Sequence, residues 1–200
     1  MKVLIVGGGG FIGQKLAKAL IARGTLRGKP IAGVTLADIV APAIPPSPFP
    51  VDAAELDITE AAPVRALIED KTPDVIYHLA AIVSGQAEAE FDLGWRVNLF
   101  GSYNIFEAAR ALGTKPVVVF TSSIAVYGGE ITEPIQDETH LNPQTSYGAQ
   151  KAASELMLND YSRKGFFDGR GLRLPTISIR PGKPNKAASS FMSSIFREPL

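Results

Sequence analysis

Short runs of apolar and β-branched residues alternate along the chain with longer segments in which apolar residues recur every three or four positions. The short runs predict strands, and the longer segments predict helices. Six strands are expected, at residues 3–6, near 31–37, in a run ending near 56, and at 75–79, 117–120 and 171–179. This alternation is typical of an α/β fold whose parallel sheet is flanked by helices. Six strands suffice for a doubly wound sheet of order 3-2-1-4-5-6.

Apolar residues at helical spacing predict where the crossover helices lie. The first helix follows the first strand and the second is capped by Thr59, while longer helices are expected at 88–112, ending at Gly113, and at 147–161. The apolar positions of the first two helices are Ile12, Leu16, Ala19, Leu20 with the stem of Arg23, and then Val64, Leu67 and Ile68. Residues 41–50 are rich in proline and predict a surface loop, because proline lacks the N–H donor that helices and inner strands need.

The composition excludes several classes of function. The 200 residues contain 20 basic and 20 acidic side chains, so no net charge favours nucleic acid or a membrane surface as a partner. Cysteine is absent, which excludes disulfides, thiolate metal sites and cysteine catalysis, and we expect no metal cofactor. The apolar runs are far shorter than the roughly 20 residues of a membrane span. We therefore expect a cytoplasmic enzyme or binding domain.

A glycine-rich loop follows the first predicted strand and opens the first helix. Its glycines include Gly7, Gly10 and Gly13. Such glycines permit a tight turn and let the backbone approach a pyrophosphate, which the N–H groups of the following helix can bind. Glycines alone also make ordinary turns, but the strand before and the helix after favour a dinucleotide site.

Asp38 is predicted to end the second strand, where a carboxylate can accept hydrogen bonds from an adenine ribose. No arginine follows it to receive a 2′-phosphate, and this favours NAD over NADP. A solvent-exposed loop aspartate is the alternative at this position.

Tyr147 and Lys151 are four residues apart at the start of a predicted helix, so both lie on one face. A nearby ammonium favours the phenolate form of a tyrosine and makes it a better base. The spacing alone is common on helices. Residues 121–127 follow the fifth strand, and a hydroxyl at the carboxyl end of a strand can orient a substrate oxygen.

Taken together, these motifs resemble an extended short-chain dehydrogenase/reductase, the family that includes the NAD-dependent epimerases and dehydratases. The resemblance rests on Gly7–Gly13, Asp57-Ile58, His78-Leu79-Ala80-Ala81, Asn98 with Gly101, Thr121–Tyr127, and Tyr147 with Lys151. It implies a Rossmann-type fold and NAD as cofactor. It also implies that Tyr147 is the base, that Ser123 binds the substrate oxygen, and that Lys151 tunes the base and anchors the nicotinamide ribose. His78 is expected to be a packed structural residue.

By the same resemblance, Asn98 supports the active-site helix, Asp57 and Ile58 lie at the adenine, and Pro175 and Ile177 face the nicotinamide. The predicted cofactor-binding residues are Gly7, Gly10, Phe11, Ile12, Gly13, Asp38, Asp57, Ile58, Leu79, Ala80, Ala81, Asn98, Thr121, Tyr147, Lys151, Pro175 and Ile177.

Residues 171–185 depart from the epimerases and are similar to the branch that oxidises the 2-hydroxyl of a four-carbon sugar acid, D-erythronate. A sugar acid needs a cation for its carboxylate, and arginine can supply two parallel hydrogen bonds. The predicted substrate contacts are Ser84, Ser123, Arg180, Lys183 and Asn185. The alternative for Arg180 and Lys183 is exposed surface charge.

Two other functions stay open. The first is epimerisation or dehydration of a nucleotide sugar, and the second is a non-catalytic NAD-binding module if the chain is natively this short. We expect residues 1–182 to form the NAD-binding domain and residues 183–200, with a helical piece around 187–196, to begin a truncated C-terminal substrate-binding region. The resemblance also implies a homodimer.

Overall fold

The computed structural model of the chain describes residues 1–131, 133–178 and 193, and the statements below concern those residues. The strands are, in chain order, β1 (Lys2–Val6), β2 (Thr25–Leu26), β3 (Lys29–Pro30), β4 (Gly33–Asp38), β5 (Val51–Glu55), β6 (Val75–His78), β7 (Val117–Ser123) and β8 (Asp168–Leu174). Six of them form one parallel sheet of order β5-β4-β1-β6-β7-β8. This confirms the predicted doubly wound order.

The helices are α1 (Phe11–Arg23), α2 (Ala61–Lys71), α3 (Ser84–Ala89), α4 (Phe91–Gly94), α5 (Gly101–Ala111) and α6 (Ser146–Arg163). A π-helical segment, Trp95–Phe100, joins α4 to α5, and a single 3₁₀ turn, Ile124–Val126, follows β7. No helix in the described part of the chain is both long and apolar enough to cross a membrane.

Alternate residues of the central strand β1 enter two separate cores. Leu4 and Val6 belong to the larger core with residues of α2, α5 and α6, whereas Val3 and Ile5 belong to the smaller one with residues of α1. All four side chains are essentially inaccessible to solvent. Burial on both faces explains why β1 reads as an uninterrupted apolar run and why its prediction was accurate.

Two strand boundaries differ from the prediction. β7 continues three residues beyond Phe120 to Ser123, and fully buried residues alternate along it with half-buried ones, so it is not fully buried on both faces. β8 spans Asp168–Leu174 rather than 171–179 and pairs only with β7. As an edge strand, β8 carries exposed polar residues, and its apolar signal is therefore weak.

The first two helices also differ in detail. In α1 the buried side chains are Ala17, Leu20 and Ile21, whereas Ala19 and Arg23 are exposed, so the buried stripe is rotated from the predicted one. Thr59 does not cap α2. Glu60 occupies the cap position, and the hydroxyl of Thr59 donates to Asp57 instead.

The predicted helix at 88–112 is four consecutive segments that begin earlier, at Ser84. The chain leaves helical geometry at Glu90 (φ −121°, ψ 70°) and continues into the π-helical segment. A hairpin of β2 and β3 lies between α1 and β4, where no strand was predicted. Residues 41–50 contain no helix or strand, as predicted. The predicted boundary at residue 182 and, apart from Ser193, the predicted helix at 187–196 lie outside the described residues.

The larger core predicts a matched pair of stability effects. Ile105 of α5 is completely buried, so we expect Ile105→Ala to lower the free energy of unfolding by about 2–5 kcal/mol through lost burial and a residual cavity. Ile135 is 43% exposed, and Ile135→Ala should change it by no more than about 0.5 kcal/mol. Urea denaturation of both variants measures the difference, and equal losses would contradict the assignment of the core.

Candidate active site

The carboxyl ends of four neighbouring strands meet at one edge of the sheet. β1 leads into the glycine loop, β4 ends at Asp38, β6 leads into Leu79, and β7 ends at Ser123. Because all of these strands are parallel, the residues that follow them share this edge, which is where open α/β sheets bind ligands.

The glycine loop packs so closely on its surroundings that no side chain fits at two positions. Gly7 has a positive φ of 90°, and an added Cβ would lie 2.6 Å from the amide nitrogen of Ala80. An added Cβ at Gly13 would lie 2.2 Å from the carbonyl oxygen of Gly7. Gly10 precedes α1, and no side chain caps the N–H groups of this helix end. The half-buried Phe11 and Ile12 form the first turn. A pyrophosphate fits such a cradle.

Asp38 lies directly beside this loop. One carboxylate oxygen accepts a hydrogen bond of 3.0 Å from the backbone N–H of Gly9, and the other accepts one of 2.8 Å from that of Ile39. These two bonds fix the carboxylate and leave each oxygen with a further acceptor site for ribose hydroxyls.

The loops after β5 and β6 lie at the same edge of the sheet. The amide groups of Leu79 and Ala80 donate to the carbonyl oxygen of Val6 at 2.8 and 3.1 Å, so Leu79, Ala80 and Ala81 run past the end of β1. Asp57 is exposed, and its carboxylate accepts from Thr59, whereas Ile58 is buried against Gly101 of α5. Ser84 begins α3 beyond this loop.

Helix α6 begins in direct contact with the backbone that follows Ser123. The side chain of Thr145 caps α6 by accepting from the amide of Gly148. An added Cβ at Gly148 would lie 2.2 Å from the carbonyl oxygen of Ala125. The side chain of Ser123 accepts from the amide of Ala125 at 3.1 Å. The first turn of α6, with Tyr147, therefore packs on the turn that Ser123 begins.

Lys151 is the most unusual charged group of the site, with only 1% of its surface exposed. Its ammonium donates to the carbonyl oxygen of Thr121 at 2.9 Å. It lies 4.7 Å from the ring centre of Phe120 and 5.7 Å from that of Tyr147. Burial lowers the pKa of Lys151 to about 7, and the Glu155 carboxylate opposes that shift. The ammonium is thus placed to stabilise negative charge on the Tyr147 ring.

Asn98 is completely buried, and its side chain hydrogen-bonds to α6 and to the loop after β6. Its amide donates to Gln150 of α6 at 2.8 Å, and its oxygen accepts from the amide of Ile82 at 3.0 Å. It therefore links α6 to the loop after β6. Its predicted contact with the cofactor stays a prediction.

His78 is likewise buried, between the rings of Phe106 and Phe120, with its Nε2 2.8 Å from the hydroxyl of Ser102. Burial and the neighbouring Lys151 lower the pKa of His78 to about 3, so the ring is neutral at physiological pH. This environment is consistent with the structural role expected for it.

The remaining predicted residues lie at or beyond the end of β8. Pro175 is exposed and Ile177 is half-buried in the segment that follows this strand. Arg180, Lys183 and Asn185 lie outside the described residues, so their predicted substrate contacts stay predictions.

One charged cluster at this edge was missed by the sequence analysis. Arg173 near the end of β8 pairs with Glu155 of α6 and also donates to the hydroxyl of Tyr127. These residues are distant in sequence, and only the four-residue spacing of Lys151 and Glu155 on one helix hinted at the cluster.

The chain resembles known proteins in both sequence and fold. The model of the "NAD dependent epimerase/dehydratase family" matches residues 3–198. D-erythronate dehydrogenase from Cupriavidus necator is 56% identical over the whole of this chain, which covers 62% of that protein. A crystal structure titled nucleoside-diphosphate-sugar epimerase, from Agrobacterium tumefaciens, superposes with a TM-score of 0.93 at 53% identity, covering 100% of this chain and 59% of that one.

A second similar structure contains NAD. UDP-glucose 4-epimerase from Thermus thermophilus, in complex with NAD, gives a TM-score of 0.77 at 28% identity, with 95% of this chain and 60% of that chain covered. The chain thus spans 59–62% of the length of these three proteins.

The buried ammonium predicts a dependence of stability on pH. Because the pKa of Lys151 is about 7 in the folded chain and 10.5 is the ordinary value, only the unfolded chain binds this proton between those limits. The free energy of unfolding should therefore rise with pH in this window, by at most about 1.4 kcal/mol per pH unit.

Denaturant unfolding from pH 7 to 10 measures how the free energy of unfolding depends on pH. Lys151→Met should remove the contribution of Lys151 to that slope. The exposed Lys18 of α1 provides a matched control, since Lys18→Met should leave the slope as in the wild type. Identical slopes for the wild type and Lys151→Met would refute the lowered pKa.

Proposed function

Because this chain belongs to the NAD-dependent epimerase/dehydratase family, we propose that it oxidises the 2-hydroxyl of a small sugar acid such as D-erythronate with NAD⁺. The observation that carries the chemistry is the buried Lys151 ammonium beside the ring of Tyr147, on a helix whose first turn packs against the turn after Ser123. The 56% identity to D-erythronate dehydrogenase supports this substrate class.

The glycine loop and Asp38 bind the two ends of the adenosine diphosphate half of the cofactor. The N–H groups at the start of α1 face the pyrophosphate, and the fixed carboxylate of Asp38 accepts from the ribose hydroxyls. Pro175 and Ile177 complete the nicotinamide side. When bound, NAD⁺ supplies the hydride acceptor for C2 of the substrate.

Tyr147 accepts the proton of the substrate hydroxyl as the C2 hydrogen leaves with its electron pair. The products are a 2-keto acid, NADH and one proton. Lys151 stabilises the phenolate of Tyr147, and Ser123 donates a hydrogen bond to the reacting oxygen. Arg180 and Lys183 bind the carboxylate, with Asn185 and Ser84 on the substrate hydroxyls.

The first test of this proposal is NADH formation, followed at 340 nm with NAD⁺ and a panel of four-carbon sugar acids. Tyr147→Phe should lower kcat by orders of magnitude because it removes the base, while the affinity for NAD⁺ stays within about twofold. Tyr77→Phe, on β6, provides a control that removes a phenol elsewhere in the fold.

Each outcome separates the alternatives. NADH formed equally by wild type and Tyr147→Phe would refute Tyr147 as the base. No NADH with any sugar acid would refute the dehydrogenase proposal. In that case, interconversion of nucleotide sugars without net NADH would identify an epimerase, the activity named for the similar Agrobacterium structure. Binding of NAD⁺ with neither reaction would identify a non-catalytic module.

We further propose that two copies of the chain associate through α5 and α6. Large apolar side chains are exposed on these helices and at the end of the π-helical segment that leads into α5: Phe100 is 55%, Tyr103 44% and Leu156 66% exposed. Clusters of exposed apolar side chains on one face commonly mark association surfaces.

Leu156→Asp should shift the chain from dimer to monomer, because the new carboxylate would lose its water at the interface. Size-exclusion chromatography with light scattering measures the mass. Leu172→Asp, at an exposed position of β8 outside this face, is the control and should leave the mass unchanged. A monomeric wild type at high concentration would refute the proposed dimer.

A further inference from the structure

Arg173 joins three elements of the active-site edge through a single guanidinium group. Its Nε lies 3.1 Å from each carboxylate oxygen of Glu155, and its Nη2 donates to one of them at 2.8 Å. Its remaining nitrogen, Nη1, donates to the hydroxyl of Tyr127. The side chain thus connects β8 with α6 and with the segment after β7.

The buried carboxylate of Glu155 is stabilised by its ion pair with Arg173. Its side chain is only 7% exposed, and a carboxylate buried to that degree is costly unless it is paired and hydrogen-bonded. Glu155 lies one helical turn after Lys151, which itself lies one turn after Tyr147. The position of the Glu155 carboxylate is therefore tied to the helix face that carries the proposed base.

Tyr127 makes the third connection. It closes the 3₁₀ turn that Ser123 begins, with its amide donating to the carbonyl oxygen of Ile124 at 3.0 Å. The guanidinium carbon of Arg173 lies 5.1 Å from the centre of the Tyr127 ring, so the two groups are stacked as well as hydrogen-bonded.

The register of the sheet places this connection beside the reacting groups. Arg173 pairs with Ser122, and Leu174 pairs with Ser123, at the end of the β7–β8 ladder. Pro175 follows two residues after Arg173. Arg173 therefore lies next to the pair of Leu174 and Ser123 in the ladder, and its guanidinium reaches the helix that carries the proposed base.

We propose that Arg173 is a positioning residue: by holding Glu155 and Tyr127 together, it sets the position of Tyr147 and Lys151 relative to Ser123. This inference rests on the proposed function for its kinetic readout. Proton abstraction requires the base and the reacting hydroxyl at near-contact distance, and a displacement of about 1 Å can cost about 100-fold in rate.

A purely stabilising role makes a different prediction. Replacing a buried ion pair with apolar residues of similar size is often neutral or stabilising, because neither charge then has to lose its water. If the pair served stability alone, an apolar pair would replace it without loss of activity. If the ion pair positions the reacting groups, an apolar pair lowers activity even where it preserves stability.

The test compares kcat, KM and Tm among Tyr127→Phe, Arg173→Lys and the double variant Arg173→Met with Glu155→Met. Tyr127→Phe keeps the ring and removes only the hydroxyl. It therefore distinguishes a positioning role from a stabilising role even where the other variants fold poorly. We expect its kcat to fall at least about tenfold, with KM for the sugar acid and the Tm nearly unchanged.

Arg173→Lys keeps the charge but cannot form the forked contact, and its kcat should also fall at least about tenfold. The double variant should have a Tm close to that of the wild type, whereas its kcat should stay lowered. The control is the exposed pair of Arg65 and Glu69 on α2, 2.7 Å apart, which should be replaceable by methionine without kinetic effect. Wild-type kcat in Tyr127→Phe, or recovery of kcat together with Tm in the double variant, would overturn the positioning role.

A second readout does not depend on the substrate. If wild type forms no NADH from any sugar acid, the proposed function fails, and hydrogen exchange of the NAD-bound protein then tests Arg173. Tyr127→Phe should accelerate exchange both in residues 123–127 and in residues 147–151, while β1 stays protected. Acceleration in only one of these segments, or in neither, would overturn the coupling.

Discussion

The active-site edge depends on a hydrogen bond between a buried ammonium and a backbone carbonyl. Lys151 has almost no contact with solvent, so its charge is stabilised by the carbonyl oxygen of Thr121, by the faces of two aromatic rings and by the nearby carboxylate of Glu155. These groups come from β7 and α6, and the bond requires this strand and this helix to be in close contact. The contact holds the end of β7, with Ser123, against the start of α6, with Tyr147.

Glycines at helix contacts make this approach possible. A side chain at Gly148 would collide with the carbonyl of Ala125, and one at Gly94 would lie 2.5 Å from the side-chain nitrogen of Gln150. Where the helices approach in this way, buried polar groups connect them. The carbonyl of Asn98 accepts from the hydroxyls of Ser102 and Ser154, one on α5 and one on α6. Close packing and buried hydrogen bonds together restrict α6 to one position.

The sequence predicted those features of the fold that depend on local patterns of residues. β1, the glycine loop and the order of the strands followed from apolar runs, turn residues and the rules of parallel sheets. β8 was displaced in the prediction because an edge strand with Asp168, Arg170 and Arg173 lacks a continuous apolar run. The π-helical segment was missed because its Asn98 bonds to Ile82 and to Gln150, and contacts between distant residues leave no local pattern. The cluster of Arg173, Glu155 and Tyr127 joins residues 18 to 46 positions apart, and no local pattern encodes it.

The acceptor that holds Lys151 belongs to the main chain. Every amino acid has a carbonyl oxygen, so no substitution of the side chain at position 121 can remove it. This contact is therefore robust to point mutation on the strand side and vulnerable on the helix side, where a single codon determines the lysine. A change of side chain at position 121 is therefore compatible with retention of this hydrogen bond, provided that the path of the backbone is retained.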